Sequence, residues 1–264
     1  MKNLFKKICS LAIGLAILLP TPVFAQTQEY NAAELTQKYS VYVERGRISD
    51  EDLQQYSRLI QRGILSEADF KAVLAESSVA EVRIYSDNGS GSSSSDVSTG
   101  NVGHSFVTIR NVRRTNITVG RITLAPGEMV SVGAYGNLST YNGSHKGVFY
   151  NVESSRRLRS GYYSSAVSLS TYVTASELSD ISSYITKREN SYNAVTFNCT
   201  HLALGIWERT GGVRMTTGSP SGLYELIKKQ SSHVENCTEM DRYGSEDMYY
   251  WNGEKLVNVV DKRN

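Results

Sequence analysis

From Val79 onward the chain passes through β-type stretches first and helical stretches afterwards. That order constrains the fold more than any other feature. Val82–Tyr85, His104–Asn111, Ile117–Leu124, Met129–Gly133 and Val148–Glu153 read as strands, being short and rich in β-branched and aromatic residues. Ala125-Pro126-Gly127-Glu128 is a turn between the third and fourth. Helices follow. Ser176 caps one that runs to about Lys187 and puts Leu178, Ile181, Tyr184 and Ile185 on one side. A second starts at Cys199 and stops at Gly211-Gly212. A third has Ser219 as its cap and Pro220 at its first position, and runs to about Gln230. Strands grouped before helices predict an α+β domain rather than a parallel α/β sheet. Tyr249-Tyr250-Trp251 and Lys255–Val260 predict a hairpin across Asn252-Gly253, in a C-terminal extension of residues 232–264. Ser86–Gly100, rich in Gly and Ser, and Gly136–Gly147 read as loops.

The segment before Val79 differs. Arg45-Gly46-Arg47-Ile48-Ser49 is echoed 17 residues later by Arg62-Gly63-Ile64-Leu65-Ser66. In each copy Gly ends one helix and Ser caps the next, with Asp52 and Asp69 as the acidic partners three residues on. Leu53, Tyr56, Leu59 and Ile60 form one apolar face, and Phe70, Val73 and Leu74 the next. Residues 26–78 therefore predict a helical hairpin, a docking or spacer module with no cluster of reactive side chains and no partner that the sequence identifies. Ahead of it, residues 1–25 read as a signal peptide. Lys2, Lys6 and Lys7 precede the apolar run Ile8–Leu19, and Val23-Phe24-Ala25 offers small residues for cleavage. The apolar run is shorter than the ~20 residues a spanning helix needs. The expected product is exported, extracellular or at the cell wall or periplasm, without stable membrane insertion.

Charge supports no polyanionic partner. The full chain holds 28 basic and 26 acidic residues. Taking away Lys2, Lys6 and Lys7 leaves 25 against 26. Arg113-Arg114 and Arg156–Arg159 are too short to argue for nucleic acid and read as solvated turns. The four histidines are scattered, no paired-cysteine motif is present, and no Gly-rich phosphate loop links a strand to a helix, so neither a metal nor another cofactor is expected. The Asn-x-Ser/Thr sequons come at the frequency expected by chance in a chain this rich in Asn, Ser and Thr.

Two short segments carry potential chemistry: Gly103-His104-Ser105-Phe106-Val107, opening an apolar strand, and Phe197-Asn198-Cys199-Thr200-His201, opening an apolar helix. Asn198 is a favoured N-cap, so Cys199 falls at the first helical position. There the helix dipole and free amides favour a thiolate and can hold an oxyanion. A cysteine nucleophile needs an imidazole base. His104 is the best placed, beside a glycine that permits close approach. His201 lies ~200° around the helix from Cys199 and caps or packs locally. His145 sits in a polar loop, and His233 lies near a helix end.

A strand-opening histidine followed far downstream by Asn-Cys at a helix start, with a second histidine two residues after the cysteine, resembles the circularly permuted branch of the papain-like NlpC peptidase superfamily. That branch includes the lecithin–retinol acyltransferase group. The resemblance spans about Val79–Gln230 and implies a permuted papain-like catalytic domain over residues 79–231, with an antiparallel sheet packed against helices. It implies Cys199 as nucleophile, His104 as base and Asn198 at the helix cap and oxyanion site. A third polar residue would orient the imidazole. Spacing in that group points to Asn116, whereas a longer hairpin turning at Arg113-Arg114 would set Thr123 opposite His104. Tyr192, seven residues before Cys199, is a candidate to line the cleft.

The resulting expectation is a secreted cysteine amidase or endopeptidase acting on a peptide, peptidoglycan-like or N-acyl substrate. Two alternatives stay open. One is an acyltransferase using the same dyad. The other is a non-catalytic binding protein in which Cys199 and Cys237, the two cysteines left after the signal, form a disulfide.

Overall fold

The computed structural model describes residues 32–44, 50–63, 66–67, 70, 78–89, 103–140, 143–236 and 238–259. The signal segment, Asp69, Val73, Leu74, most of the Ser86–Gly100 loop and Cys237 lie outside them. The chain divides into two compact units, Met1–Glu67 and Ala68–Asn264.

In the first unit, α1 (Ala32–Glu44) and α2 (Asp50–Gln61) bury Leu35, Tyr39, Leu53, Tyr56 and Ile60. Thr36 and Ser57 hydroxyls hydrogen-bond at 3.2 Å, and Glu67 accepts from Lys38 at 2.8 Å and from the Tyr39 hydroxyl. Gly63 ends α2 at φ 67°, a left-handed position that costs glycine little.

The second unit is α+β. Its strands are β1 (Ala80–Asp87), β2 (His104–Asn111), β3 (Ile117–Val119), β4 (Ile122–Leu124), β5 (Met129–Thr140), β6 (Gly143–Tyr150), β7 (Val167–Val173), β8 (Val234–Glu235), β9 (Met248–Trp251) and β10 (Leu256–Val259). Its helices are α3 (Val152–Ser160), α4 (Ala175–Arg188), α5 (Cys199–Arg209), α6 (Pro220–Lys228) and α7 (Thr238–Tyr243). Eight strands form one sheet in the order β10-β9-β6-β5-β2-β1-β7-β8, with every pairing antiparallel. None of the helices is long and apolar enough to cross a membrane among the described residues.

Alternation along the central strands splits the sheet into two unlike faces. Val82, Ile84, Val107, Ile109, Val130 and Val132 share one core with Ile181 and Ile185 of α4, Leu202, Ala203 and Ile206 of α5, and Leu223 and Ile227 of α6. This apolar bed fixes α5, and with it Cys199. The opposite face is partly ionic. Glu81 pairs with Arg83 at 3.1 Å and with Arg110 at 2.6 Å, and Glu239 of α7 reaches Arg83 at 2.6 Å. Beside them Tyr85, Phe106, Met129, Tyr163 and Met240 form a second, smaller core.

Several elements differ from the sequence expectation. The C-terminal hairpin forms as β9 and β10, but β8, β9 and β10 also add strands to both edges of the sheet, and Glu239 completes the ionic face. Ile117–Leu124 is not one strand but the β3–β4 hairpin, turning where Gly120 takes φ 57°. In the expected Gly136–Gly147 loop, residues 136–140 continue β5 and residues 143–147 open β6, with a register shift between Tyr135 and Leu138. Thr174, not Ser176, caps α4, because Thr174 and Glu177 form a reciprocal capping box. Val148–Glu153 is strand only to Tyr150. Asn151 then adopts φ 63° and starts α3, which also carries Arg156–Arg159. In that helix Arg157 pairs with Asp241 of α7 at 2.6 Å.

Glu239 is the C-terminal contribution to a largely buried charge cluster, so its loss leaves two guanidinium groups under-compensated. Glu239→Ala is expected to lower stability by about 3 kcal/mol, read from the urea midpoint. Glu254→Ala on the exposed β9–β10 turn should shift it by less than about 0.5 kcal/mol.

Candidate active site

The site lies where the N-terminus of α5 meets the first residues of β2. Asn198 has extended φ/ψ, and its side-chain oxygen accepts the Thr200 and His201 amides at 3.0 and 3.2 Å. Both Asn198 side-chain donors are taken as well, by Ala194 O at 3.1 Å and Gly218 O at 2.9 Å. Asn198 thus locks the helix start and donates nothing to the cleft. His201 completes the cap, its Nδ1 accepting the Asn198 backbone N–H at 3.4 Å. With the next two amides occupied by Asn198, the Cys199 N–H is the helix-terminal donor with no partner among the described residues.

Cys199 is 8% exposed and has no disulfide partner among the described residues. Burial raises its pKa, but the charge of His104 and its hydrogen bond lower it, as do the Ser105 N–H and the Thr200 hydroxyl. The net result is a thiol below the usual range. Thr200 belongs to a buried hydroxyl chain. Its Oγ1 lies 3.2 Å from Ser105 Oγ, which lies 3.0 Å from Ser86 Oγ, and Ser86 donates to Pro220 O at 2.7 Å. With the Ser86 proton committed to Pro220, the direction of the Ser105 proton decides whether Thr200 can donate to sulfur.

His104 is positioned by its neighbours on β1 and β5. It pairs with Asp87. Gly103 before it has φ 74°, and a Cβ there would collide with the Asp87 carbonyl. The imidazole lies close enough to Cys199 for each to shift the other's pKa, while its Nε2 lies 2.9 Å from Glu153 Oε1. That leaves Nδ1 for the sulfur. Burial pushes the imidazole pKa down, but Tyr163, Cys199 and Glu153 outweigh it, and the pKa stands well above the ordinary value. The ring is held between Tyr135, at a centroid distance of 4.8 Å, and Tyr163 at 6.0 Å.

The residue that orients the imidazole is Glu153. Asn116 is exposed in the connection before β3, and Thr123 is exposed on β4 opposite Thr118. Neither faces His104, because the strand beside β2 is β5, with Phe106 opposite Gly133. Glu153 is 0% exposed. Its Oε1 also accepts from the Tyr135 hydroxyl at 2.8 Å, and its Oε2 accepts from Ser131 Oγ at 2.8 Å. Burial alone would raise this carboxyl. The hydrogen bond and charge of His104 and the Tyr135 hydrogen bond outweigh it, so the pKa is lowered and the group stays ionised. Burial and the Glu153 charge push the Tyr135 phenol well up, which keeps it a donor. Ser131 N–H donates to Asn151 Oδ1 at 3.1 Å, tying the start of α3 to β5. Sequence reading missed Glu153 by extending the Val148 strand through it. The available signal was Asn151, a residue tolerant of left-handed φ, directly ahead of a carboxylate suited to a first helical turn. Gly133 was missed too. A side chain there would collide with Glu153 Oε1 and approach His104 Nε2 to 3.1 Å.

Tyr192 is half-buried. Burial and the nearby Cys199 raise its pKa. Its ring packs against Gly136, where a Cβ would come within 2.6 Å.

No protein-family model and no curated protein matches the chain. A solved crystal structure, that of the type VI secretion system effector TseH, is similar at a TM-score of 0.35 and 14% sequence identity, over 70% of this chain and 99% of that one. A likeness that weak carries no argument, so the site is read from its own geometry.

Two outcomes test that geometry. The rate of Cys199 alkylation by iodoacetamide, followed against pH, should have its midpoint below the ordinary thiol value of about 8.5. The thiolate forms as pH rises through the lowered Cys199 pKa and is paired with imidazolium until the raised His104 pKa is passed. His104→Ala should move the midpoint up, and Glu153→Gln should move it up by less. Separately, Gly133→Ala should displace the Glu153–His104 pair and lower stability by about 1–3 kcal/mol, with the alkylation midpoint rising towards that of His104→Ala.

Proposed function

We propose that this chain is an exported cysteine hydrolase that cleaves an amide bond in a peptide or peptidoglycan-like substrate, with Cys199 as nucleophile and His104 as its acid and base. The observation that carries the reading is the buried series in which Glu153 is hydrogen-bonded to His104 and His104 lies beside Cys199, close enough to lower its pKa. Further support comes from the antiparallel sheet packed by helices, compatible with a papain-like domain. The order of histidine before cysteine is that of the permuted branch.

In this mechanism Cys199 Sγ attacks the scissile carbonyl carbon, and the carbonyl π electrons move to oxygen. The Cys199 N–H stabilises the oxyanion. Collapse breaks the C–N bond while His104 gives its Nδ1 proton to the leaving amine, forming a thioester. His104, now neutral, takes a proton from water as its oxygen attacks the thioester. The acid leaves, and Cys199 and His104 return as thiolate and imidazolium. Glu153 holds the ring orientation and favours its charged form throughout, without itself being protonated.

The export reading of residues 1–25 points to amides outside the cytoplasm. Purified protein incubated with peptidoglycan fragments and with N-acyl dipeptides should release a new amine detectable by mass spectrometry. Cys199→Ala should reduce turnover at least about 10³-fold with an unchanged melting profile. Excess hydroxylamine should divert the thioester to a hydroxamate. Retained turnover in Cys199→Ala, or hydrolysis with no hydroxamate, would remove the covalent mechanism.

A further inference from the structure

A chain of three buried hydroxyls runs from the nucleophile to the start of α6. Ser86 and Ser105 face each other across β1 and β2, and Thr200 follows Cys199 on α5. All three residues are 0% exposed. Thr200 Oγ1 lies 3.2 Å from Ser105 Oγ, Ser105 Oγ lies 3.0 Å from Ser86 Oγ, and Ser86 Oγ lies 2.7 Å from Pro220 O. Each hydroxyl brings one proton and two lone pairs. A carbonyl oxygen can only accept, so the Ser86 proton is spent on Pro220 and Ser86 meets Ser105 as an acceptor.

Two proton arrangements then remain. In the first, Thr200 donates to Ser105 and Ser105 donates to Ser86, so every contact in the chain holds a proton and none is left for the sulfur. In the second, Thr200 donates to Cys199 Sγ and Ser105 donates to Thr200. The Ser86 and Ser105 oxygens then face each other at 3.0 Å with no proton between them. A thiolate favours the second, because a donor to an anion makes the stronger bond, and the Thr200 hydroxyl is among the groups that lower the Cys199 pKa. A thiol or thioester sulfur carries no charge and leaves the first in place. The titratable groups facing the thiol are His104 from β2, with Glu153 behind it, and Tyr192 from the segment ahead of α5. None of them belongs to the chain, and α6 meets it with a backbone carbonyl. Asp87, next to Ser86, points to the other face of β1 and accepts the Gly89 N–H at 2.7 Å.

We infer that Ser86 is a positioning residue for the nucleophile: its oxygen competes with Cys199 Sγ for the protons of Ser105 and Thr200, so the chain turns towards the sulfur only while the sulfur is charged. The purpose of this device rests on the proposed hydrolase reading. The chain steadies the thiolate before attack, closes on Ser86 while the sulfur is acylated, and turns back as water expels the sulfur from the thioester. Each proton stays on its own oxygen throughout, and only the direction of the O–H bonds changes.

The test is the pH dependence of Cys199 alkylation in the full chain, read on the Cys199 peptide by mass spectrometry. Ser86→Ala removes the competing oxygen, and the midpoint is expected to fall by about half a unit to one unit. Ser105→Ala, which leaves the Ser86–Pro220 hydrogen bond in place, should move it the same way. Thr200→Val removes the donor and should raise it, and in that background Ser86→Ala should have no effect. An unchanged or raised midpoint in either serine variant that keeps a cooperative melt would overturn the assignment, as would a fall that persists with Thr200→Val. These titrations need no turnover. The expected shifts in a chain that hydrolyses no amide would therefore support the role of Ser86 and count against the hydrolase reading alone.

Discussion

A carboxylate with no solvent exposure is costly unless every lone pair is answered, and the site is organised around meeting that demand at Glu153. Three donors converge on it from β2 and β5: His104, Tyr135 and Ser131. Each is one strand residue apart from a neighbour that serves the core on the other face. The space the carboxylate occupies exists because position 133 has no side chain. The charge on His104, and through it the acidity of the Cys199 thiol, follows from this one buried anion and the groups that hold it.

The two faces of the sheet divide the work. The apolar face seats α5 on Val and Ile side chains, so Cys199 is aimed by hydrophobic packing, which is strong and non-directional. The opposite face carries the polar groups that need direction, namely the Glu153 network and the Glu81–Arg83–Arg110–Glu239 cluster. His104 opens β2 on this polar face, while Ser105, one residue on, points to the apolar face and joins the hydroxyl chain that reaches Thr200. A single strand thus feeds the sulfur from both sides of the sheet.

Much of this was legible in the residues. The α+β class followed from the grouping of strands before helices. The spans of β2, α5 and α6 followed from apolar runs bounded by strong caps, where local chemistry and tertiary structure agree. The pairing of His104 with Cys199 followed from what a thiol nucleophile requires. Glu153 did not, because its role depends on a long-range contact across 49 residues and on a left-handed Asn151 that ends a strand without glycine or proline to mark it. The expectation of Asn116 or Thr123 failed for a related reason. Both lie in a hairpin that leaves the main sheet, so the strand beside β2 is the next one along the chain. The C-terminal strands were legible as a hairpin but not as sheet edges, since edge pairing depends on register that local sequence does not carry.

The distance in sequence between the parts of the site also has a consequence in time. Glu153, His104 and Cys199 come from three separate elements, and none of the three can perturb the others until β2, β5, α3 and α5 are assembled. In an unfolded chain the thiol has its ordinary acidity and is mostly protonated near neutral pH. The lowered pKa of Cys199 is therefore a property of the completed fold. A chain not yet folded would carry Cys199 as an ordinary thiol and gain its acidity only once these elements meet.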